Sequence, residues 1–272
     1  MEFQNIKIEK NQEIAIATLD RPEKANALSQ NLWNEIGELA RWVDRQPDIR
    51  VVLLEGAGKH FCAGIDYQLI MEIVGKVGPK LEGHKQAALL QIIEDLQRAF
   101  TAIEQCRQPF IAAIHGACVG GGIDLVTACD IRYASAESRF SVKEIDLAIV
   151  ADIGTLQRLP HLVGQGNARE LAMTGRTIDA HEAKSMGLIS EVFSDPQSLR
   201  DEAIKRATLI SKKSPLTLRG IKKVMNYCRN VSVEQGLQYV ATWNAGMLLS
   251  ADAQEALSSQ LEKRESVFQN PI

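Results

Sequence analysis

Isoleucines at every second position mark the beginning of the chain. The stretches IKIEK at 6–10 and EIAIATLD at 13–20 both show this alternation, which predicts two strands that pair as an antiparallel hairpin. After Ser29 the apolar spacing becomes helical, and serine is a favourable residue at a helix N-cap. The apolar positions of this predicted helix are Leu32, Ile36, Leu39 and Val43. The sequence therefore predicts a hairpin followed by an amphipathic helix.

Apolar strands then alternate with helical segments. Buried strands are predicted at 50–56 (RVVLLEG), 109–116 (PFIAAIHG) and 131–135 (IRYAS), with a short helix at 122–129. A long helix between the first two of these strands is indicated by Leu89, Leu90, Ile93, Leu96, Phe100 and Ile103. This alternation is typical of parallel β-α units in an α/β core. By itself it does not distinguish a doubly wound sheet from other α/β arrangements.

Helical patterns dominate the chain beyond residue 165. The stretches NARELAMTG, DAHEAKSMG, LRDEAIKRATLIS, PLTLRGIKKVMNYC and DAQEALSSQLEKRE alternate with short breaks. No internal repeat or low-complexity linker separates them from the preceding strands. The pattern predicts an N-terminal α/β core with a helical C-terminal third, which packs either on the core or on a neighbouring subunit.

The composition is that of an ordinary globular chain. Of 272 residues, 45% are apolar and 24% are charged, and the formal net charge is −3. This charge gives no electrostatic case for nucleic acid or an anionic membrane as the main partner. No apolar run approaches the roughly 20 residues of a membrane span. We therefore expect neither nucleic acid nor membrane as a partner.

Neither end of the sequence carries a recognisable address. MEFQNIKIEKNQEIAIATLD lacks the patterns of signal and transit peptides, and ESVFQNPI is not a peroxisomal address of the Ser-Lys-Leu type. The cysteines are odd in number and have no metal-ligand spacing, which fits reduced thiols. They are Cys62, Cys106, Cys118, Cys129 and Cys228. These observations lead us to expect a cytoplasmic protein.

Several well-known site motifs are absent from the sequence. A phosphate-binding P-loop around Gly58 and Lys59 fails, because its first glycine and its hydroxyl residue are replaced by Leu53 and His60. GACVGGG is not a dinucleotide fingerprint, since Cys118 stands at the second glycine. H-x-x-x-H, C-x-x-C and G-x-S-x-G do not occur. We therefore expect no metal, no bound nucleotide cofactor and no serine nucleophile.

Two glycine-containing segments follow predicted strands. HFCAGID comes after RVVLLEG, and HGACVGGGID comes after PFIAAI. Carboxyl ends of parallel strands meet at one sheet edge, where ligands bind. Backbone N–H groups there, the second set from the first turn of a helix, favour negative charge. The sequence predicts an oxyanion hole, whose donors contribute about 3–4 kcal/mol in a transition state; a tight turn without chemistry is the alternative for Gly120–Gly122 alone.

HFCAGID and HGACVGGGIDLVTACDIRYAS resemble the two signature segments of the enoyl-CoA hydratase/isomerase (crotonase) superfamily, and the order of elements matches nearly throughout. Within the superfamily, FSVKEIDLAIVADIGTLQRLP is most similar to the dienoyl-CoA isomerases. The resemblance implies an α/β fold, a crotonase-type β-β-α spiral. Residues 1–200 are expected to form this core, with the CoA and catalytic site, and 201–272 a C-terminal helical trimerisation region. A homotrimer or homohexamer is implied.

The resemblance also implies a binding site for an acyl-CoA thioester. The thioester oxygen is expected to accept hydrogen bonds from the backbone N–H groups of Ile65 and Gly121, and the Ala63 carbonyl is expected to face the adenine. The expected CoA and substrate contacts are Ala63, Gly64, Ile65, Asp66, Tyr67, Gly121 and Gly122. The segment at 67–91 is expected to shape the acyl pocket. No cofactor is expected, because coenzyme A is part of the substrate.

Three acidic residues match the acidic positions of dienoyl-CoA isomerases: Asp124, Glu144 and Asp152. By this analogy Glu144 removes a proton from C2, Asp152 delivers one to C6, and Asp124 tunes or orients Glu144. Crowding in an apolar pocket separates the pKa values of carboxyl groups. Each residue has a structural alternative: Asp124 as a helix-dipole residue, Glu144 as a solvated charge, and Asp152 as the N-cap of a helix starting near Thr155.

The implied reaction shifts the double bonds of a 3,5-dienoyl-CoA to give a 2,4-dienoyl-CoA in fatty acid β-oxidation. An enoyl-CoA hydratase is the main alternative; such enzymes hold water between two glutamates at the positions of Asp124 and Glu144. A Δ3,Δ2-enoyl-CoA isomerase needs one carboxylate and leaves the other acids without a role. A non-catalytic or RNA-binding protein of this fold is the remote alternative, with 205–213 as its most basic stretch.

Overall fold

Two β-sheets and the helices around them make up the structure, a computed structural model that describes residues 3–270; the outermost residues of the two terminal stretches inspected for address signals lie outside this range. The described strands are β1 (Ile6–Asn11), β2 (Ile14–Leu19), β3 (Val51–Gly56), β4 (Phe110–Ile114), β5 (Ala117–Val119), β6 (Ile131–Ser135), β7 (Arg139–Ser141), β8 (Ile178–Asp179) and β9 (Glu191–Phe193). The described α-helices are α1 (Gln30–Val43), α2 (Tyr67–Val77), α3 (Glu82–Gln105), α4 (Gly121–Ala128), α5 (Thr155–Thr174), α6 (Ala180–Met186), α7 (Pro196–Ser211), α8 (Pro215–Cys228), α9 (Val233–Met247) and α10 (Ala251–Glu262).

The larger sheet has the strand order β1-β2-β3-β4-β6-β9. The predicted antiparallel hairpin of β1 and β2 is confirmed. All other neighbours in this sheet pair in parallel. Parallel pairing places the carboxyl ends of β3 and β4 at the same sheet edge. The two glycine-containing segments follow these two strands and therefore begin side by side.

Helices cover both faces of the larger sheet. Val52 and Leu54 of β3 belong to the main apolar core, whereas Val51 and Leu53 belong to a second cluster that includes residues of α7. Successive strand residues point to opposite faces, so a strand covered on both sides is apolar throughout. This double burial accounts for the uninterrupted apolar run of β3.

The smaller sheet, with the order β5-β7-β8, was not predicted from the sequence. Its strands contain two or three residues, which is too short for an apolar alternation to be recognised. β5 and β7 pair in parallel, and the Gly120 N–H donates to the Ser141 carbonyl at 2.9 Å. A β-bridge joins Cys62 to Cys118 of β5. Three separate chain segments are thereby aligned next to each other.

Helices α1 and α3 pack together beside the main core. As predicted, α1 begins after Ser29, whose Oγ accepts from the Leu32 N–H at 3.3 Å. The predicted apolar face of α3 is buried only in its second half, and Leu89 and Leu90 are exposed. α3 has 24 residues and α1 has 14, so α1 covers only part of the longer helix.

The region beyond residue 165 is mainly helical, as predicted, although it also contains the short strands β8 and β9. The predicted division at residue 200 falls inside α7, whose Leu199 and Ala203 pack on the sheet; this division stays a prediction. The Lys222 side chain of α8 reaches the core and pairs with Asp130 at 2.8 Å. None of the described helices has the length and apolar character needed to cross a membrane.

Candidate active site

A cavity of about 350 Å³ lies beside the loops that follow β3, β5 and β7. Most of the residues predicted for the site line it: Ala63, Gly64, Ile65, Tyr67, Gly121, Asp124, Glu144 and Asp152. These residues come from four chain segments, at 63–67, 121–124, 144 and 152. The structure therefore brings the predicted acids and the predicted oxyanion donors to one place.

The two predicted oxyanion donors lie next to each other. A Cβ atom placed on Gly121 would lie 3.8 Å from the Ile65 nitrogen. Within residues 3–270, neither the Ile65 N–H nor the Gly121 N–H donates to a backbone carbonyl. Gly121 is also the first residue of α4, where unpaired N–H groups and the helix dipole favour an anion. The arrangement provides two adjacent donors for an oxygen that gains negative charge.

The glycines of this site are required by close contacts and by backbone conformation. Gly120 has φ 52°, and a Cβ atom there would lie 3.2 Å from Oε1 of Glu144. Gly64 has φ 93°, and its Cβ would lie 2.8 Å from the Val119 carbonyl oxygen. Positive φ favours glycine. A side chain at either position would separate the two loops or displace the carboxylate.

Asp124 is buried and forms the connection between α4 and α5. Its side chain is 1% exposed, and Oδ1 accepts a hydrogen bond from the Thr155 N–H at 2.6 Å. Burial raises the pKa of Asp124 to about 7; hydrogen bonds from Thr155 oppose this rise, and the charges of Glu144 and Asp152 add to it. Asp124, and not Asp152, therefore caps the start of α5.

Glu144 is held against the glycine loop and is not the solvated charge of the alternative interpretation. It follows β7, and its Oε2 atom is buried without a hydrogen-bond partner among residues 3–270. Burial raises the pKa of Glu144, and the neighbouring charge of Asp152 raises it further. The preceding Lys143 pairs with Asp146 at 2.8 Å instead. Glu144 is thus a half-buried acid whose buried oxygen has no hydrogen-bond partner in the described part of the chain.

Asp152 lies where the catalytic cavity meets a second, polar cavity of about 370 Å³. Burial raises the pKa of Asp152 as well. Its backbone carbonyl accepts a hydrogen bond from Gln97 Nε2 at 2.6 Å. The N-cap of α5 is Gly154, which has no capping side chain. Asp152 is therefore not the N-cap of α5, which was the structural alternative for this residue.

Two residues predicted to contact the substrate point elsewhere. The Asp66 carboxylate accepts from the Gln68 N–H at 3.0 Å and pairs with Arg21 at 3.1 Å. Gly122 faces the loop that contains Cys62, since a Cβ atom placed on Gly122 would lie 3.0 Å from the Cys62 carbonyl oxygen. Neither residue lines the cavity. In the structure Asp66 caps α2, and Gly122 permits α4 to approach the Cys62 loop.

Two further residues, Trp33 of the catalytic cavity and Gln97 of the adjoining polar cavity, were not predicted from the sequence. Trp33 lines the cavity, stacks on Phe100 at 5.0 Å and donates from Nε1 to the Leu96 carbonyl at 2.9 Å. Its place next to the apolar stripe of α1 was the available signal. No sequence feature indicated Gln97, because a glutamine on the polar face of a helix cannot be distinguished from an ordinary solvated residue.

Comparisons with known proteins identify the family and the fold of this chain. A family model described as enoyl-CoA hydratase/isomerase matches residues 9–271. A peroxisomal Delta(3,5)-Delta(2,4)-dienoyl-CoA isomerase of Arabidopsis thaliana is 51% identical, covering 92% of this chain and 90% of its own. A mitochondrial protein of the same name from Homo sapiens is 43% identical, covering 91% and 76%. The crystal structure of an enoyl-CoA hydratase from Bacillus anthracis superposes with a TM-score of 0.87 at 32% identity, covering 98% and 100%. The predicted fold class is confirmed.

The expectation of a cytoplasmic protein is contradicted by these comparisons, because the two isomerases are named as peroxisomal and mitochondrial proteins. Unpaired cysteines are typical of cytoplasmic proteins, but they do not exclude another compartment. Cys62, Cys106, Cys118 and Cys129 are buried, and burial raises the pKa values of these thiols. These thiols are separated from solvent by the packing around them, so their unpaired state does not identify a compartment.

Replacement of Asp124 by Asn is expected to change how stability depends on pH. Between about pH 4 and about pH 7, the folded protein retains a proton on Asp124 that the unfolded chain releases, so the contribution of Asp124 to the stability of the wild type falls as pH rises. Asn keeps an oxygen for the Thr155 N–H and does not ionise. The free energy of unfolding is measured by denaturant titration for Asp124→Asn and for the wild type at each pH. The difference, variant minus wild type, should grow by about a few kcal/mol between about pH 4 and about pH 7.

Asp201→Asn provides the control for this titration, because it removes an exposed carboxylate on α7. Its stability should follow the wild-type profile closely. Parallel pH profiles for Asp124→Asn and the wild type would contradict a proton held on Asp124 in the folded protein.

Proposed function

The chain belongs to the enoyl-CoA hydratase/isomerase family, and we propose that it is an isomerase that converts a 3,5-dienoyl-CoA into a 2,4-dienoyl-CoA in fatty acid β-oxidation. The observation that carries this proposal is the arrangement of Asp124, Glu144 and Asp152 around one cavity with two unpaired amide donors. A double-bond shift requires a base and an acid at opposite ends of a conjugated system. The site offers both next to an oxyanion hole.

The thioester oxygen of the substrate binds between the N–H groups of Ile65 and Gly121. These donors attract the electrons that are released when C2 loses a proton, so they stabilise the enolate more than the ground state. Ala63 and Tyr67 line the approach to this point, and we assign them to CoA binding. The Ala63 carbonyl accepts no backbone hydrogen bond within residues 3–270, which leaves it available to the adenine.

Glu144 removes a proton from C2, and the electron pair of the broken C–H bond delocalises over the chain to the thioester oxygen. The C3–C4 and C5–C6 double bonds become C2–C3 and C4–C5 double bonds when C6 accepts a proton from Asp152. Burial raises the pKa of both acids, which makes Glu144 a stronger base and keeps Asp152 protonated to higher pH. One proton leaves and one arrives, so the reaction needs no cofactor.

The contact of Asp124 favours the isomerase over a hydratase. A hydratase of this family holds water between two glutamates, at the positions of Asp124 and Glu144. In this chain the shorter Asp124 is directed to the Thr155 N–H at 2.6 Å, and the third acid, Asp152, lines the cavity. We assign Asp124 to holding the segment that carries Asp152.

Incubation of the purified enzyme with a 3,5-dienoyl-CoA tests the proposed reaction. The product has its two double bonds conjugated with the thioester, so near-ultraviolet absorbance should rise with time. A 2-enoyl-CoA in a parallel assay provides the comparison. Flat absorbance with the dienoyl substrate, together with rapid hydration of the 2-enoyl-CoA, would replace the isomerase by the hydratase.

Asp152→Asn should abolish most of the isomerisation while leaving CoA binding intact. The amide cannot deliver a proton to C6, and loss of a general acid lowers a rate by about 10²–10⁴-fold. Because Glu144 is unchanged, proton exchange at C2 with deuterated solvent should continue, which mass spectrometry of recovered substrate would detect. Wild-type turnover by this variant would exclude Asp152 as the acid.

We further propose that the C-terminal helices join copies of this chain into a trimer or a hexamer. Apolar side chains are exposed on and after α8 and α9, among them Met225, Leu248 and Leu249 at 66%, 71% and 84%. Ile221 and Trp243 line an apolar cavity of about 490 Å³ in the same region. Contiguous exposed apolar surface of this kind is typical of protein interfaces.

Light scattering during gel filtration tests the assembly. The expected mass is three or six times that of the 30.0 kDa chain. A mass equal to a single chain at micromolar concentration would contradict the proposed assembly.

A further inference from the structure

We propose that Gln97 is a positioning residue for Asp152: its amide fixes the backbone of the residue that protonates C6. Gln97 lies on α3 and donates from Nε2 to the Asp152 carbonyl at 2.6 Å. This inference rests on the proposed function, because it concerns one of the two proton transfers. It predicts that Gln97 affects the second transfer and leaves the first unchanged.

The Asp152 side chain depends on its backbone for its position. Within residues 3–270, no other residue donates a hydrogen bond to its carboxylate. The direction of the carboxylate is therefore set by where the backbone places Cα and Cβ. A hydrogen bond to the carbonyl of the same residue acts on that placement directly. An acid that is aimed by its own side-chain contacts would not need such a bond.

Side chains hold the segment that carries Asp152 at three backbone groups. The Asp152 carbonyl accepts from Gln97, the Ile153 carbonyl accepts from Arg158 Nη1 at 3.3 Å, and the Thr155 N–H donates to Asp124. Gly154, with φ 131°, lies between the last two. Of these three contacts, the bond from Gln97 is the one made to Asp152 itself. Its loss leaves the other two in place, so the start of α5 should remain intact.

Gln97 is attached to a rigid part of the cavity wall. The preceding Leu96 is buried, and its carbonyl accepts from Nε1 of Trp33, a residue that lines the catalytic cavity. Trp33 also stacks on Phe100, one turn further along α3. This helix therefore connects the Asp152 segment to the wall that faces the substrate. A small error in this placement moves the acid away from C6.

The test compares wild type with Gln97→Met, which keeps the length of the side chain and cannot donate a hydrogen bond. Isomerisation of a 3,5-dienoyl-CoA is measured in deuterated solvent, together with deuterium gained at C2 of the recovered substrate. A misplaced reacting group lowers a rate by about 10- to 100-fold, so kcat should fall by that factor while KM stays within about twofold. The ratio of C2 exchange to isomerisation should rise by about 10-fold or more, because Glu144 still removes the C2 proton.

A purely structural role for Gln97 would lower exchange and isomerisation together and leave their ratio unchanged. That result, or a kcat equal to the wild type, would overturn the inference. Gln97→Glu answers the same question if the Met variant does not fold, because glutamate preserves the side-chain shape but, when ionised, has no donor. Gln105→Met at the end of the same helix is the matched control: Gln105 is exposed and lines neither cavity, so both rates should match the wild type.

The outcomes also separate this inference from the proposed function. If the wild type fails to convert the dienoyl substrate, the proposed function is wrong, and the proposed role of Gln97 is then also wrong. If the wild type converts the substrate and Asp152→Asn raises the exchange ratio while Gln97→Met does not, the function stands and the role of Gln97 is rejected.

Discussion

The parallel pairing of β5 with β7 is the constraint on which the site depends. Each strand has three residues, yet their register places the residues that follow them, the glycines of α4 and Glu144, directly beside each other. The bridge from Cys62 to Cys118 adds the loop that carries Ile65. The proposed oxyanion donors and the proposed base are thus positioned by a few backbone hydrogen bonds, and the Glu144 carboxylate leaves little space for a side chain at Gly120.

Burial gives the three acids their chemical character. In water a carboxyl group near neutral pH is ionised and a weak base. In this cavity, removal from solvent raises the pKa values of all three acids, and the charge of Asp152 adds to the rise at Asp124 and Glu144. Such burial opposes folding when the groups ionise. Asp124 partly offsets this cost through its hydrogen bond with the Thr155 N–H. The same hydrogen bond holds the start of α5, and the buried Asp124 carboxyl group thereby helps to place the segment that carries Asp152.

Proton transfer at two distant carbons requires two separately anchored groups. Glu144 follows a strand, and its position is set by the smaller sheet. Asp152 follows no strand and is placed by side chains from α3, α4 and α5 that bind the backbone around it. The proposed acid, Asp152, therefore depends on packing between helices, whereas the proposed base, Glu144, depends on strand register. This difference explains why the contacts of Asp152 include an ordinary-looking glutamine.

The sequence by itself determined the hairpin, the strands of the larger sheet other than β9, and the main helices, because their apolar periodicity is long enough to be distinctive. It also determined the glycine segments and the three acids, since their resemblance to a known family is local and specific. Only the tertiary structure decided which acid caps α5, that Asp66 binds Arg21 and Gln68 instead of facing the cavity, and that Gln97 reaches Asp152. These outcomes depend on contacts between residues far apart in the chain and on strands too short to leave a pattern, and neither is encoded in local periodicity.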